Sequence, residues 1–346
     1  MKDFLDELDQ ELWWKVDDNV DNSKQKKEKR VITVVKKDKL DSDRKNISNN
    51  KNNSNKKKNY WYNKEVRWKF ASKFPETKFY LPSLRDGYTR FMPIGWNNET
   101  GSKNMWMIQY WDDIVIIDCW IQFADSKLPW VSYLVPDVSF LTKYKDKIKW
   151  IVLTHWHLDH IGTLKHVLPA IWMPALYWTK LTLWLAKKWL EEAWLMSECK
   201  FIEIDAWSDK KVNIWQFKFE FFRVNHSIPD CAWLYIESPG WAKFMHTWDF
   251  KIDHTPAIDE PADLDRIENM WKRGITLLFS DSTWAPRKWF SKSEKDVWIA
   301  LDEIVRTHKK GRLIIAAFSS WISRVQQLIN SCEKYDKTIF LSWRSM

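Results

Sequence analysis

Ile151-Val152-Leu153-Thr154-His155-Trp156-His157-Leu158-Asp159-His160-Ile161-Gly162 sets an apolar run directly against three histidines and an aspartate. The run reads as a buried strand that ends where the polar residues begin. A loop at a strand's end can aim alternate side chains at one point, and imidazole with carboxylate suits a zinc ion. The plain alternative is a helix N-terminus rich in histidine, which leaves the crowding of four such groups into six residues unexplained. Working outward, the same arrangement recurs. Asp118 closes a strand expected from Asp113 to Cys119, after another from Met105 to Tyr110. His226 lies beyond alternating strands between Val212 and Val224, and Asp249 follows a strand pair at Leu234–Ile236 and Ala242–Met245. Asp281 follows the apolar run Ile275 to Phe279. Helical periodicity marks Leu164–Leu168 and Lys180–Leu195. The pattern predicts a mixed α/β sandwich with acidic residues or histidines at successive strand ends.

Order is expected from near Tyr88, within a domain spanning 86–290. Residues 1–60 form a Lys/Asn-rich tail, exemplified by Asn49-Asn50-Lys51-Asn52-Asn53, with one short amphipathic helix between Asp3 and Trp14. Such a composition buries too little apolar surface to offset chain entropy, so the tail is expected to be disordered. It is either a basic arm for nucleic-acid phosphates or a solvated extension. A different unit, 291–346, opens on Ser291-Lys292-Ser293-Glu294, the Ser-x-x-Glu form of a capping box. It continues as a helix from Val297 to Thr307, a strand from Leu313 to Phe318, a helix from Ile322 to Cys332 and a strand from Thr338 to Leu341.

The chain has 346 residues, room for two domains or one large one, and 55 basic against 46 acidic residues give a net charge of +9. That balance favours an anionic partner. Four scattered cysteines, Cys119, Cys199, Cys231 and Cys332, exclude a disulfide framework of paired spacings and fit a reducing compartment. No apolar run approaches membrane-spanning length and no signal-peptide core is present, so a soluble, cytoplasmic protein with no membrane contact is expected.

Tryptophan is abundant and glycine scarce: 27 against 7. At the usual frequency of ~7%, roughly 24 glycines are expected. Several tryptophans occupy places where a backbone wants glycine, among them Trp120, Trp156, Trp178, Trp241, Trp248 and Trp289. A tryptophan-rich core would not explain the missing glycines. The expectation is a gene from a lineage that reads UGA as glycine, translated with a table that reads UGA as tryptophan.

With glycine read at those positions, six landmarks align: Ile117-Asp118-Cys119-Trp120, Thr154 to Gly162, His226-Ser227-Ile228-Pro229-Asp230, His246-Thr247-Trp248-Asp249-Phe250-Lys251-Ile252-Asp253, Ser280-Asp281-Ser282-Thr283, and Arg324-Val325-Gln326-Gln327 with the terminal Trp343-Arg344-Ser345-Met346. His-x-His-x-Asp-His alone is similar to the whole metallo-β-lactamase superfamily. With the other landmarks, the chain from about Arg90 to Met346 resembles the ribonuclease J family, in the β-CASP branch of metallo-β-lactamase-fold nucleases. The resemblance implies a metallo-β-lactamase αββα sandwich followed by the start of a β-CASP domain. It implies two zinc ions: His155, His157 and His226 on one, Asp159 and His160 on the other, Asp249 bridging both. Asp118 would orient a ligand without binding metal, and Asp281 would be an acidic residue beside the metals, so that Asp159, Asp249 and Asp281 are the carboxylates expected to serve catalysis. The family's later histidine motifs, one of which completes the second zinc's ligands, have no counterpart here, and a C-terminally truncated chain is expected. The implied activity is zinc-dependent hydrolysis of RNA phosphodiester bonds, internally and from a monophosphorylated 5′ end.

Against this stand a small-molecule hydrolase of the same superfamily, which would lack a segment like that after Asp281, and a catalytically impaired RNA-binding fragment. The remaining histidines are read as packing or surface residues (His166, His254, His308) or as structural (His246), and Asp230 and Asp253 as turn or capping residues. Whether copies form a homo-oligomer is left open by the sequence.

Overall fold

Ile114-Val115-Ile116-Ile117 has no polar side chain to turn toward water, and a strand of that kind is stable only when covered on both faces. The computed structural model, which describes residues 79–95, 103–124, 130–288 and 290–340, places it in the middle of a six-stranded sheet. Strands β1 (Thr89–Pro93), β2 (Trp106–Tyr110) and β3 (Asp113–Ile117) run antiparallel. From β3 the order continues in parallel through β6 (Ile148–Val152), β7 (Ala175–Trp178) and β8 (Phe201–Glu203). Parallel neighbours need long crossovers. That from β6 to β7 carries helices α1 (Leu158–Ile161) and α2 (Leu164–Ala170), and that from β7 to β8 carries α3 (Lys180–Glu192). Two short strands, β4 (Gln122–Phe123) and β5 (Tyr133–Leu134), pair only with each other.

The second sheet has the order β13-β12-β11-β10-β9. Its strands are β9 (Val212–Ile214), β10 (Phe217–Arg223), β11 (Ala232–Glu237), β12 (Lys243–His246) and β13 (Leu277–Phe279). β13 runs parallel to β12, the crossover being made by α4 (Leu264–Lys272). Aromatic side chains join the faces of the two sheets. Phe91 of β1 stacks on Phe279 of β13 at 3.9 Å between ring centroids, and Trp178 of β7 meets the edge of Phe221 of β10 at 5.3 Å. Burying a ring of this size contributes about 1.5–3 kcal/mol, so this aromatic seam is a main source of cohesion between the sheets.

The sandwich of mixed sheets and helices agrees with the sequence reading; β2, β3, β6 and β9 to β13 fall within a few residues of the strands expected, whereas β1, β4, β5, β7 and β8 were not expected as strands. Helix α4 was not anticipated, although Asp263 caps it by accepting from the Arg266 N–H. A boundary between two compact units falls between residues 293 and 294. In the second unit, α5 (Glu294–Thr307) and α6 (Ile322–Lys334) pack together: Arg324 pairs with Glu294 at 3.1 Å and Trp298 Nε1 donates to Ser331 Oγ at 3.2 Å. Three expectations fail here. The helix begins at Glu294 itself, so Ser291 is not its N-cap, and the Glu294 carboxylate instead takes Arg324 and Gln327. Leu313–Phe318 and the described part of Thr338–Leu341 are not strands, because no neighbouring strand among the described residues offers them a hydrogen-bond ladder. Both the amphipathic helix expected at Asp3–Trp14 and the basic tail lie outside the described residues, as does Trp289.

Among the described residues six tryptophans adopt the left-handed region that disfavours any residue with a Cβ: Trp111 (φ 52°), Trp172 (65°), Trp194 (60°), Trp215 (54°), Trp241 (64°) and Trp248 (55°). Three sit in the reversals between β2 and β3, β9 and β10, and β11 and β12. Trp194 follows α3, where its N–H bonds Glu191 O and the Leu195 N–H bonds Leu190 O. That pair of bonds is the Schellman closure, whose left-handed position is usually glycine. Trp120, Trp156 and Trp178, by contrast, have ordinary φ, and the strain anticipated at those positions is not of this kind. Trp156 and Trp178 instead bury an indole N–H that has no partner among the described residues, as do Trp150, Trp233, Trp248 and Trp321. Trp120 donates to Ile94 O at 2.7 Å.

Candidate metal centre

The strand β6 ends at Val152, and the chain then passes Thr154 and His155 in extended form before turning into α1 with His157 as its N-cap (φ −61°, ψ 144°). The extended stretch separates His155 from His157 by one residue. The helical turn that follows brings Asp159 and His160 back over the same strand end. Asp118, directly after β3, holds this turn in place from the neighbouring parallel strand. Its own φ is 58°, and its carboxylate accepts from the Thr154 N–H (2.8 Å), the Thr154 hydroxyl (2.6 Å) and His160 Nδ1 (2.5 Å). Those bonds fix two ring orientations. With Nδ1–H of His160 given to Asp118, its Nε2 is the nitrogen turned toward the ligand group. The Thr154 hydroxyl, having donated to Asp118, can accept from His155 Nδ1 at 3.1 Å, which leaves His155 Nε2 free.

His226 comes from the loop after β10, and Asp249 from the loop after β12. Two groups of potential ligand atoms result: His155, His157, His226 and Asp249, and Asp159, His160 and Asp249, each with its atoms within 4.8 Å of one another. Asp249 belongs to both. Every sequence-predicted metal ligand thus falls in one group or the other, and the histidines set aside at the sequence level fall in neither.

The side chains present fit an ion. His157 Nδ1 lies 3.0 Å from His155 Nε2 and 3.1 Å from His226 Nε2. A single proton on His157 Nδ1 cannot serve two neighbouring lone pairs, whereas one cation between the three nitrogens satisfies all of them. The spacings are close to the edge of a tetrahedron, about 3.3 Å for bonds of ~2.0 Å to nitrogen. Ser227 Oγ, 3.3 Å from His157 Nε2, steadies the far side of that ring.

Electrostatics agrees. Burial, reinforced by the neighbouring imidazoles, holds His155 and His157 well below the usual histidine range, and His226 is lowered to about 4. All three are therefore neutral at neutral pH, the form in which an imidazole can take an ion. For Asp249 burial works toward a higher pKa, but the hydrogen bond and charge of His160, with His226 and His157, hold the carboxyl far below its ordinary value. His160 differs: it is raised despite burial, by the carboxylates of Asp159 and Asp118, so an ion bound there would have to displace the proton from its Nε2.

Asp281 stands apart. Its N–H donates to Thr247 Oγ1 at 3.0 Å, and its carboxylate accepts from the Thr283 N–H at 2.8 Å, so it caps its own turn and belongs to neither ligand group. It is near enough for its charge to raise the pKa of His226. Asp230 accepts from the Leu181 N–H at 3.0 Å at the start of α3, and Asp253 accepts from the Thr255 N–H at 3.0 Å; both do the capping work expected of them. Sequence reasoning passed over Thr154, Ser227 and Asn104, whose amide Nδ2 is 3.1 Å from His160 Nε2. Of these Thr154 and Ser227 lie inside quoted motifs and carried a positional signal, whereas Asn104 did not.

Residues 99–221 match the sequence profile described as "Metallo-beta-lactamase superfamily". Ribonuclease J of Thermus thermophilus is 33% identical over 265 residues, which is 75% of this chain and 45% of that protein. Ribonuclease J 1 of Streptococcus pyogenes is 35% identical over 264 residues, 76% of this chain and 46% of that protein. Ribonuclease J of Helicobacter pylori is 35% identical over 259 residues, 74% and 36% respectively. The chain spans less than half the length of these relatives.

Proposed function

We propose, from the premise that this chain carries a metallo-β-lactamase domain and is related along three quarters of its length to ribonucleases J, that it is a zinc-dependent ribonuclease. The observation that carries the reading is the pair of ligand groups sharing Asp249. His155, His157 and His226 with Asp249 would hold one ion, and Asp159 and His160 with Asp249 the other. Three imidazole nitrogens with carboxylates are a donor set suited to zinc. Two such ions supply Lewis-acid polarisation of a phosphodiester and a water acidic enough to attack it near neutral pH. The chain's own residues do the rest. Asp118 and Thr154 keep His160 and His155 in the ligating orientation, and Ser227 orients His157. Asp281, held by the Thr247 hydroxyl beside the Asp249 turn, adds negative charge at the rim.

The substrate in this reading is RNA, cut internally or from a monophosphorylated 5′ end. The second unit is read as the start of a β-CASP domain, and the basic stretch of residues 1–60 as a further RNA contact. The net charge of +9 favours a polyanion. Four free cysteines fit a reducing compartment, and no helix among the described residues is long and apolar enough to cross a membrane.

His155→Ala or Asp249→Ala is expected to lower cleavage of a 5′-monophosphorylated RNA by at least about a thousandfold, roughly 4 kcal/mol of barrier. The Asp249 variant is expected to lose zinc from both positions, as counted by atomic absorption. Near-unchanged cleavage by either variant would overturn the assignment.

A further inference from the structure

Asn104 lies two residues before β2, and its side-chain amide reaches the second ligand group. Nδ2 lies 3.1 Å from His160 Nε2 and 3.5 Å from Asp159 Oδ2, the two ligand atoms that group does not share with the first. The other ring nitrogen of His160 is already committed to Asp118. An ion taken up on His160 Nε2 would displace the amide from that nitrogen and leave its N–H for another acceptor beside this group.

The backbone here is well held. Met105 is fully buried, its N–H bonds Lys103 O at 3.0 Å, and its carbonyl accepts from the Ile94 N–H at 2.8 Å. An amide so placed has a narrow range of uses. It carries no charge, so it does not neutralise Asp159 or Asp249. Its nitrogen has no lone pair to offer an ion, but it has two N–H donors. Two carboxylates make this corner hostile to an anion, and a donor beside them is what an incoming anionic oxygen needs.

We infer that Asn104 is a substrate-contacting residue whose amide donates a hydrogen bond to a non-bridging oxygen of a phosphate seated against Asp159, His160 and Asp249. The inference rests on the nuclease reading for its choice of phosphate as the oxygen's carrier. Asn104 adds to the site a donor that neither ligand group contains.

The test separates the inference from that reading. Inorganic phosphate is titrated by calorimetry into the full chain loaded with zinc, with Asn104→Ala and Asn104→Asp alongside. A hydrogen bond to a charged group is worth a factor of about 10–100 in affinity. Asn104→Ala is expected to bind phosphate weaker by that factor with its zinc content unchanged. Asn104→Asp, which keeps the shape but replaces the donor with a charge, is expected to bind weaker still. Phosphate affinity unaltered in Asn104→Asp would overturn the inference, and so would loss of a zinc equivalent from Asn104→Ala, because the amide would then be holding the metal ligands rather than the substrate. If the unsubstituted chain fails to cleave RNA yet shows this phosphate dependence on Asn104, the inference stands and the ribonuclease reading falls.

Discussion

At Trp194 the backbone asks for glycine and the sequence supplies the largest side chain there is. The left-handed conformation costs a residue with a Cβ about 1–2 kcal/mol, and six tryptophans adopt it. Trp194→Gly is expected to stabilise the protein by about 1 kcal/mol, read as a rise in the urea midpoint with the slope unchanged. A loss of stability would mean that the indole packs well enough to offset the strain. The same reasoning extends to the decoding of the gene. Peptide mass spectrometry of the protein from its native source is expected to find glycine at 111, 172, 194, 215, 241 and 248; tryptophan at these positions would refute a reassigned UGA. The glycine deficit raised the expectation of recoding in the sequence, but did not say which positions would be left-handed in the backbone. Trp156 and Trp178 drew attention through their motif and neighbours, yet both have ordinary φ, and their misfit is an orphaned indole N–H instead. Asn104 was illegible for a different reason. It reaches its partners across 55 and 56 residues of chain, and nothing in its own neighbourhood announces them.

Among the elements, α3 shows how a site loop is anchored at a distance. Asp230, four residues beyond His226, accepts from the Leu181 N–H at the helix's first turn. Burial pushes its pKa up to about 7, against the hydrogen bonds from Thr179 and Leu181 and with some help from Asp259. Between about pH 4 and pH 7 the folded chain therefore keeps a proton that the unfolded chain has released, and stability falls as pH rises through that window. Asp230→Asn, which preserves an acceptor for Leu181 without a titrating group, is expected to flatten this slope. Urea denaturation at pH 5 and pH 8 measures it, and an unchanged difference between the two would count against Asp230 as the source. Which elements could be read in advance follows from burial. Strands β2, β3, β6 and β10 are apolar or cleanly alternating because they are covered, and that pattern survives in the sequence. Leu313–Phe318 carries the same apolar letters, but Ile314 and Phe318 are largely exposed and no strand lies beside them. Hydrophobicity alone does not supply a ladder. Helix α4 escaped notice because it is short and most of its residues are polar, with only Met270 on it buried.

For the molecule as a whole, the ligand groups matter because their members come from both sheets. His155 and His157 follow β6 of the first sheet, while His226 and Asp249 follow β10 and β12 of the second. An ion binding only the folded chain stabilises it by about 2.7 kcal/mol at a hundred times its dissociation constant. Zinc is expected to raise the melting temperature of the unsubstituted protein and to leave that of Asp249→Ala nearly unmoved, as followed by calorimetry. An equal rise in both would place the binding elsewhere. The superfamily-level site was readable from the motif, since its residues crowd one strand end; the joining of the sheets was not, because it depends on which strands share a direction. That joining has a further consequence. With an ion in place, the chain from His155 to Asp249 becomes a closed ring, stapled without a covalent bond. All four cysteines are free, so the staple works where a disulfide would be reduced, and it is opened by a chelator instead of a thiol.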